Sequence, residues 1–282
     1  MHIFTDPREL QRQCLFWRQE GLKVGLVPTM GYLHAGHMAL MQRARDLCDR
    51  LVVTLFVNPT QFGANEDLDK YPHDFEGDCS KAESRGADAL FAPKPGDMYQ
   101  PDHATWVEVP ALAEHLCGAS RPVHFRGVCT VVAKLFMLAQ PTVAVFGQKD
   151  WQQLAIIRRM VRDLDIPVEI VGHEIVREAD GLAMSSRNTY LTREERAAAP
   201  AIRQGLLKLA DKVRGGERDA AAAVDFLTKE YAATLPMGKP DYIALVDPDD
   251  IAPVAAIQGP VLAAVAVQMG KARLIDNILI EV

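Results

Sequence analysis

The sequence lacks the signatures of several common protein classes. No GxGxxG segment opens a helix, which argues against a dinucleotide-binding oxidoreductase. The cysteines are scattered and form no C-x-x-C pair, so neither a disulfide framework nor a zinc site is expected, and free thiols in a reducing compartment are indicated. These cysteines are Cys14, Cys48, Cys79, Cys117 and Cys129.

A strong positive charge and a long apolar run are also missing. The net charge is −6 and the pI about 5.8, so no basic field favours tRNA or DNA. The longest apolar run near the carboxyl end is interrupted by Gly259-Pro260 and is too short to span a bilayer. Charged residues such as Arg8 and Glu9 occupy the place of a secretory apolar segment. We therefore expect a cytoplasmic protein that binds neither nucleic acid nor membrane.

The first part of the chain alternates between strand-like and helix-like segments. Strands are predicted at residues 22–27, 51–57, 89–92, 142–146 and 167–171. Helices are predicted at residues 36–48, 74–85, 128–139 and 151–164, with a loop at 93–105 and a short helix after residue 109. Repeated βα units of this kind predict an α/β fold with a doubly wound, parallel, Rossmann-like sheet. In such a sheet, ligands bind beyond the carboxyl ends of the strands.

The pattern changes after residue 175. Two alanine-rich amphipathic helices are predicted at residues 194–214 and 218–231. Strands follow at 242–246, 261–267 and 273–280, the last two joined in a hairpin. We therefore expect a Rossmann-like domain over residues 1–175 and a smaller α+β domain, acting as a lid, over residues 176–282.

Two histidines stand where the first predicted strand turns into a helix. His34 and His37 follow small residues that allow a ligand to approach, and the free N–H groups of a helix start favour phosphate. Gly31 and Gly36 have the spacing of a P-loop, but His37-Met38 replaces its Lys-Ser/Thr. Isolated histidines at this spacing often only cap or pack, but the strand-to-helix context favours phosphate binding.

Three further clusters follow predicted strands. Asn58 and Gln61 carry neutral amides that suit hydroxyl and carboxylate oxygens, although Asn58-Pro59 could simply form a turn. Lys149 is placed to meet phosphates, while Asp150 with Gln153 could form a helix capping box.

The third of these clusters lies at residues 177–188 and combines two hydroxyls with a guanidinium. Ser185, Ser186 and Arg187 could bind a triphosphate through charge-assisted hydrogen bonds. A Ser-Ser-Arg run is also common on surfaces. Together with the histidine turn, however, it resembles the second signature of class I synthetase-like adenylating enzymes, in which a loop closes on ATP.

Five collinear segments carry a more specific resemblance. They are PTMGYLHAGH at 28–37, FVNPTQF at 56–62, RPVHFRG at 121–127, FGQKD at 146–150 and EADGLAMSSR at 178–187, and the match continues to LIDN at 274–277. Together they resemble the pantothenate synthetase (pantoate–β-alanine ligase) family of the HxGH nucleotidyltransferase-like superfamily. The sequence departs from the family pattern at Tyr32, Val123 and Gln148.

The resemblance implies ATP-dependent condensation of pantoate with β-alanine through pantoyl adenylate, with release of AMP and pyrophosphate. It implies a homodimer, and Mg²⁺ bridging the phosphates with Asp150 as its protein candidate. His37, His34 and Lys149 would be catalytic. The ATP-binding residues would be Met30, Gly31, His34, His37, Gly147, Lys149, Asp150, Val176, Met184, Ser185, Ser186 and Arg187. Gln61, Gln153 and Asn58 would bind pantoate or β-alanine.

Some alternatives stay open. Arg121 and His124 could approach the phosphates or the amine, or could have a structural role at the start of a helix. Another nucleotidyltransferase of the same superfamily would share the histidine turn but leave the nucleotide on its product. A non-catalytic ATP-binding protein would leave Gln61 and Gln153 unexplained. A tRNA synthetase fragment is disfavoured by the acidic pI.

Overall fold

A computed structural model describes residues 1–63, 66 and 68–282. The chain divides into two compact units. Unit 1 comprises Met1–Pro110, Arg121–Gln148 and Ile156–Glu174, and unit 2 comprises Ala111–Ser120, Lys149–Ala155 and Ile175–Val282. A domain boundary at residue 175 stays a prediction, and two short segments before that residue are grouped with unit 2.

Unit 1 contains a six-stranded parallel sheet. Its strands are β1 (His2–Phe4), β2 (Val24–Val27), β3 (Arg50–Thr54), β4 (Ala89–Phe91), β5 (Val143–Gly147) and β6 (Glu169–His173). They lie in the order β1-β4-β3-β2-β5-β6. The central strands β2 and β4 are buried along their whole length, as expected for apolar strands covered on both faces. The predicted Rossmann-like sheet is confirmed.

Helices connect these strands. Up to residue 163 they are α1 (Pro7–Gln19), α2 (Ala35–Arg45), α3 (Phe75–Ser84), α4 (Pro95–Met98), α5 (Pro110–Ala113), α6 (Leu116–Ser120), α7 (His124–Ala139) and α8 (Trp151–Asp163), with short 3₁₀ turns at Pro59–Gln61 and Gln148–Asp150. Helix α2 packs Met41 and Ala44 against Val27, Val53 and Val145 of the sheet. This packing holds the amino end of α2 beside the carboxyl end of β2.

The strand order locates the ligand-binding edge of the sheet. From β2 the chain continues to β3 and β4 on one side and then to β5 and β6 on the other. Strands β2 and β5 are neighbours, with Gly25 opposite Val143 and Leu26 opposite Ala144. The winding direction therefore reverses between β2 and β5, which is where open α/β sheets bind ligands. The histidine turn follows β2, and Gly147 ends β5.

Unit 2 contains a three-stranded antiparallel sheet with helices packed on it. The strands are β7 (Gly238–Val246), β8 (Val261–Met269) and β9 (Ala272–Ile280), and the later helices are α9 (Arg193–Ala198), α10 (Ala201–Arg214) and α11 (Ala220–Thr234). Leu206 and Leu227 of these helices share one apolar core with Val265 and Leu274 of the sheet. The hairpin between β8 and β9 and the smaller α+β architecture are both confirmed.

Three sequence-based expectations fail in detail, and two elements were not expected. The single helix predicted at 194–214 is two helices, because Pro200 has no backbone N–H for a continuous ladder. The predicted loop at 93–105 contains α4, which begins with Pro95 at its first turn. Helix α7 begins at His124 rather than at residue 128. Helix α1 had no predicted counterpart, and neither did strand β1, whose three residues are too few to show a strand pattern.

Among the described residues, no helix is both long and apolar enough to cross a membrane.

Candidate active site

The two histidines cap the amino end of helix α2. His34 is the N-cap residue, and its Nδ1 accepts the backbone N–H of Gly36 at 3.1 Å. The backbone N–H of His34 donates in turn to Nδ1 of His37 at 3.3 Å. The two rings lie with their centroids 4.1 Å apart and their planes tilted by 41°. The pair thus forms a reciprocal capping box in which imidazoles replace the usual hydroxyl and carboxylate.

This arrangement fixes where each imidazole carries its proton. A ring nitrogen that accepts a backbone N–H carries no proton itself, so Nδ1 of both rings is unprotonated. The neutral ring then holds its proton on Nε2, which makes Nε2–H a hydrogen-bond donor. The helix start therefore sets both histidines as donors to an oxygen acceptor, at the end of the helix whose dipole also favours anions.

A buried carboxylate holds the turn that precedes α2. Asp78 of helix α3, only 2% exposed, accepts the backbone N–H groups of Tyr32 and Leu33, both at 2.7 Å. Gly31 and Tyr32 have positive φ values of 91° and 52°. The value at Tyr32 is unusual for a residue with a side chain, and the Asp78 hydrogen bond stabilises it. A Cβ on Gly31 would lie 3.1 Å from Asp78 Oδ2, a tight contact.

Sequence reasoning missed Asp78. The signal for it is an acidic residue four positions before Ala82 on the buried side of α3, where an apolar side chain would be ordinary. Because a buried carboxylate needs partners, such a residue predicts donors from elsewhere in the chain. Those donors are the backbone of the histidine turn.

Thr29 ties the same turn to the next strand. Its hydroxyl donates to the carbonyl of Thr54 at 2.5 Å, and its N–H donates to the Thr54 hydroxyl at 3.1 Å. The N–H of Gly31 donates to the Thr29 hydroxyl at 3.1 Å. The turn is therefore held from both β3 and α3.

Gln61 lies in the 3₁₀ turn after β3, where its carboxamide is oriented by neighbours. Its Nε2 lies 3.0 Å from Met30 Sδ, and its Oε1 accepts from Asn58 Nδ2 at 3.3 Å. Asn58, 1% exposed, also donates to the carbonyl of Gly127 and accepts from Thr60 and from the Tyr99 hydroxyl. Asn58 is therefore occupied by bonds within unit 1 and orients Gln61.

The segment 121–127 braces the backbone of Gln61. His124 Nδ1 lies 3.0 Å from the Gln61 carbonyl oxygen, and Arg121 donates to the same oxygen at 3.4 Å. A Cβ on Gly127 would lie 2.4 Å from the Thr60 carbonyl oxygen, so glycine is needed for this close approach. Of the two roles left open for Arg121 and His124, these contacts favour the structural one.

Arg121 also forms an ion pair with Glu66. Partial burial raises the pKa of the Glu66 carboxyl, but the hydrogen bonds and charge of Arg121 outweigh it, and the net pKa is lowered. The pair therefore keeps Glu66 ionised and Arg121 oriented toward Gln61.

In unit 2, Lys149 stands between β5 and α8. Its ammonium lies 3.8 Å from the Asp150 carboxylate, and its carbonyl accepts a hydrogen bond from Asn277 at 2.9 Å. Gln153 is partly exposed on the first turn of α8, whereas the neighbouring Gln152 is buried and bonds the segment 112–117. The capping box between Asp150 and Gln153 stays a prediction.

The Ser-Ser-Arg segment follows a short hairpin. Met184 N–H donates to the Val176 carbonyl at 3.0 Å, and Glu178 N–H donates to the Leu182 carbonyl at 2.8 Å. Beyond this hairpin, the Ser185 hydroxyl accepts the N–H of Arg187 at 3.2 Å. The hairpin hydrogen bonds and the Ser185–Arg187 contact together define the backbone conformation at Ser185 and Arg187.

The structure therefore groups the predicted site residues within each unit. Unit 1 contains the histidine turn and the Gln61 cluster, with Gly147 at the end of β5. Unit 2 contains the Lys149 turn with Gln153 and the hairpin that leads into the Ser-Ser-Arg segment.

Comparison with known proteins decides the family. A family model described as pantoate-beta-alanine ligase matches residues 2–279. The chain belongs to the pantoate–β-alanine ligase family. The pantothenate synthetase of Maridesulfovibrio salexigens is 61% identical over the full length of both chains, and that of Heliobacterium modesticaldum is 52% identical, also over full length. The resemblance expected from the sequence is confirmed.

Solved structures of the pantoate–β-alanine ligase family agree. The pantothenate synthetase of Thermus thermophilus superposes with a TM-score of 0.91 at 44% identity, covering 99% of each chain. The ligase of Francisella tularensis, in a complex with an ATP compound and β-alanine, superposes with a TM-score of 0.81 at 32% identity, covering 99% of this chain and 97% of that one. The whole chain therefore has the fold of the family.

We expect Asp78→Asn to lower the kcat/KM of pantoate–β-alanine ligase activity about 10- to 100-fold, because one backbone N–H would then face an amide donor and the histidine turn would shift. Asp74→Asn is the matched control on the same helix, since Asn caps a helix as well as Asp does. Steady-state kinetics and thermal unfolding of both variants check this. An Asp78→Asn enzyme as active as the wild type, or an equally impaired Asp74→Asn enzyme, would contradict the role of Asp78.

Proposed function

We propose that this chain catalyses the ATP-dependent condensation of pantoate with β-alanine to pantothenate, with release of AMP and pyrophosphate. The observation that carries the proposal is the imidazole capping box at the switch point of the sheet, in a chain that belongs to this ligase family. The structure of the Francisella tularensis ligase in complex with an ATP compound and β-alanine supports both substrates.

The first step has to activate a carboxylate. A carboxylate is a poor electrophile, and it repels the phosphates of ATP. In the proposed step, a pantoate carboxylate oxygen attacks the α-phosphorus in line, and the bond from that phosphorus to the bridging oxygen of pyrophosphate breaks. Negative charge grows on the phosphate oxygens, so donors fixed in advance at those oxygens lower the barrier.

His34 and His37 supply such donors. Their Nδ1 atoms are engaged with backbone N–H groups, which leaves Nε2–H as the donor of each ring. We assign both to the phosphates during adenylation, as hydrogen-bond donors that keep their protons. Because the capping box and Asp78 set this geometry before any ligand binds, little reorganisation is required during the reaction.

The remaining nucleotide contacts are assigned by residue type. Lys149, Ser185, Ser186 and Arg187 would hold the triphosphate and the departing pyrophosphate, since they offer one ammonium, two hydroxyls and one guanidinium. The other residues assigned to ATP are Met30, Gly31, Gly147, Asp150, Val176 and Met184. Gly147 offers open space, because a Cβ placed there would meet nothing within 4 Å.

Gln61 and Gln153 are assigned to pantoate. The Gln61 Nε2 donor lies against the Met30 thioether, a weak acceptor, so a substrate oxygen can replace it at little cost. Asn58 is also assigned to the pantoate or β-alanine site. Its Nδ2 donates to Gln61 Oε1 and so orients the Gln61 carboxamide.

The second step transfers the acyl group. The amine of β-alanine attacks the carbonyl carbon of pantoyl adenylate, the bond to the AMP oxygen breaks, and the amine loses a proton to solvent as the amide forms. The histidine donors would then stabilise the charge that returns to the phosphate of AMP.

Mg²⁺ fits the residues that are present. Asp150 offers one half-exposed carboxylate, and within the described residues no cluster of three or more acidic, histidine or cysteine side chains could hold a metal. Such a site suits an ion held mainly by phosphates and water, whose chemistry is to neutralise phosphate charge. Asp150 would supply its one protein oxygen. The homodimer, the lid role of the second domain and the cytoplasmic location stay predictions.

A nucleotidyltransferase of the same superfamily is the second candidate. It shares the histidine turn but would keep the nucleotide on its product and release no AMP when an amine is added. The family match over residues 2–279 favours the ligase.

Product analysis by mass spectrometry tests the function. Purified protein is incubated with Mg-ATP and pantoate, with and without β-alanine. We expect pantothenate and AMP only with β-alanine, and pantoyl adenylate without it. Formation of ADP would contradict the adenylate route, and the absence of turnover despite confirmed ATP binding would contradict the ligase assignment.

We expect His37→Ala to lower the turnover number about 100- to 1000-fold, equivalent to about 3–4 kcal/mol, because the variant loses a donor used in the transition state. His2→Ala is the control, since His2 is exposed on β1. Circular dichroism and steady-state kinetics check that the fold is kept while turnover falls. Unchanged turnover in His37→Ala would remove His37 from the mechanism.

A further inference from the structure

Two adjacent polar residues lie in the middle of the terminal strand β9. Asp276 and Asn277 belong to the LIDN segment, and they are only 4% and 5% exposed. Because successive side chains of a strand point to opposite faces, one residue faces each side of the sheet. Neither has a part in the chemistry proposed above.

Asp276 lies on the core side of β9, together with Leu274 and Ile280. Its carboxylate forms a paired ion bridge with Arg177, at 2.8 Å and 2.9 Å. Arg177 Nη1 also donates to the Gly181 carbonyl at 3.0 Å. Arg177 therefore joins the strand to the turn of the 176–184 hairpin, which leads directly into Ser185, Ser186 and Arg187.

Asn277 projects from the opposite face. Its Nδ2 donates to the backbone carbonyl of Lys149 at 2.9 Å, and its own N–H donates to Asp276 Oδ1 at 2.8 Å. The first bond fixes the peptide from which the Lys149 side chain extends. The second couples Asn277 to the ion bridge.

Stability alone does not account for this choice of residues. Exchanging a buried ion pair for apolar side chains of similar volume is often neutral or stabilising, so such a pair is weak evidence for a stabilising role. Paired guanidinium–carboxylate bonds fix orientation in a plane, and an amide-to-carbonyl bond fixes the position of one peptide. Both directed contacts end on segments that carry the cationic groups proposed to bind the triphosphate.

We propose that Asp276 and Asn277 are positioning residues for ATP, which set the Ser-Ser-Arg segment through Arg177 and the Lys149 ammonium through the Lys149 carbonyl. The proposal rests on the proposed function and adds to it the residues that align its phosphate-binding groups.

Asn277→Asp tests the second contact. The substitution keeps the shape of the side chain but replaces the donor with a carboxylate oxygen facing the Lys149 carbonyl. Gln268→Glu is the matched control, because Gln268 makes the same kind of bond, to the Gly270 carbonyl at 2.8 Å, in the same β8–β9 hairpin. We expect kcat/KM for ATP to fall about tenfold or more in Asn277→Asp, with KM for β-alanine nearly unchanged. Gln268→Glu should match the wild type.

Arg177→Lys tests the first contact without deleting the charge. Lysine cannot form the paired bonds, so we expect the same ATP-selective loss and faster amide hydrogen exchange over residues 178–187. Thermal unfolding of each variant shows whether the fold is intact. A merely structural role would lower the activity for ATP and β-alanine alike, in step with stability.

The outcomes distinguish a failure of the positioning role from a failure of the proposed function. A wild-type enzyme that makes pantothenate, with Asn277→Asp and Arg177→Lys showing unchanged kinetics for ATP, would overturn the positioning role and leave the function standing. A uniform loss for both substrates would also overturn it. A wild-type protein that makes no pantothenate would contradict the function itself.

Discussion

The buried carboxylate of Asp78 is the constraint on which the site in unit 1 depends. It accepts two consecutive backbone N–H groups of the turn after β2, one of them at a residue with positive φ. The turn then enters α2 at a fixed angle, and the first helical peptides orient both imidazoles through their Nδ1 atoms. These backbone hydrogen bonds orient the two imidazoles at the helix terminus, so that each ring presents its Nε2–H as a donor before any ligand binds. Preorganisation of this kind is what charge development on phosphate requires.

The same physical principle recurs through backbone carbonyls. Arg121 and His124 hold the carbonyl of Gln61, and Asn277 holds that of Lys149. In each case a side chain remote in sequence fixes the peptide whose own side chain is assigned to a substrate. Such support leaves the assigned side chain able to exchange its partners when a ligand arrives. The weak contact between Gln61 and Met30 is an example.

The sequence predicted the architecture well because its signals are local. Apolar runs flanked by turns located the strands β2 to β9, and the strand-to-helix turn located the histidines. A three-residue strand such as β1 gives no periodicity, and the break at Pro200 was missed although proline interrupts a helix. The partners of Asp78 and Asp276 could not be found in this way, because they lie 46 and 99 residues away along the chain. Both aspartates lie on buried faces, and only the tertiary structure shows which donors compensate them.

The central claim is that a pantoate oxygen attacks the α-phosphorus of ATP. The most direct measurement uses pantoate labelled with ¹⁸O in its carboxylate, followed by mass spectrometry of the nucleotide product in the presence of β-alanine. A labelled oxygen attacks the α-phosphorus, and the bond between that oxygen and the carbonyl carbon of pantoyl adenylate breaks later. One labelled oxygen therefore stays in AMP. We expect AMP that carries one ¹⁸O atom and pyrophosphate that carries none. Unlabelled AMP, or label in inorganic phosphate together with ADP, would contradict it.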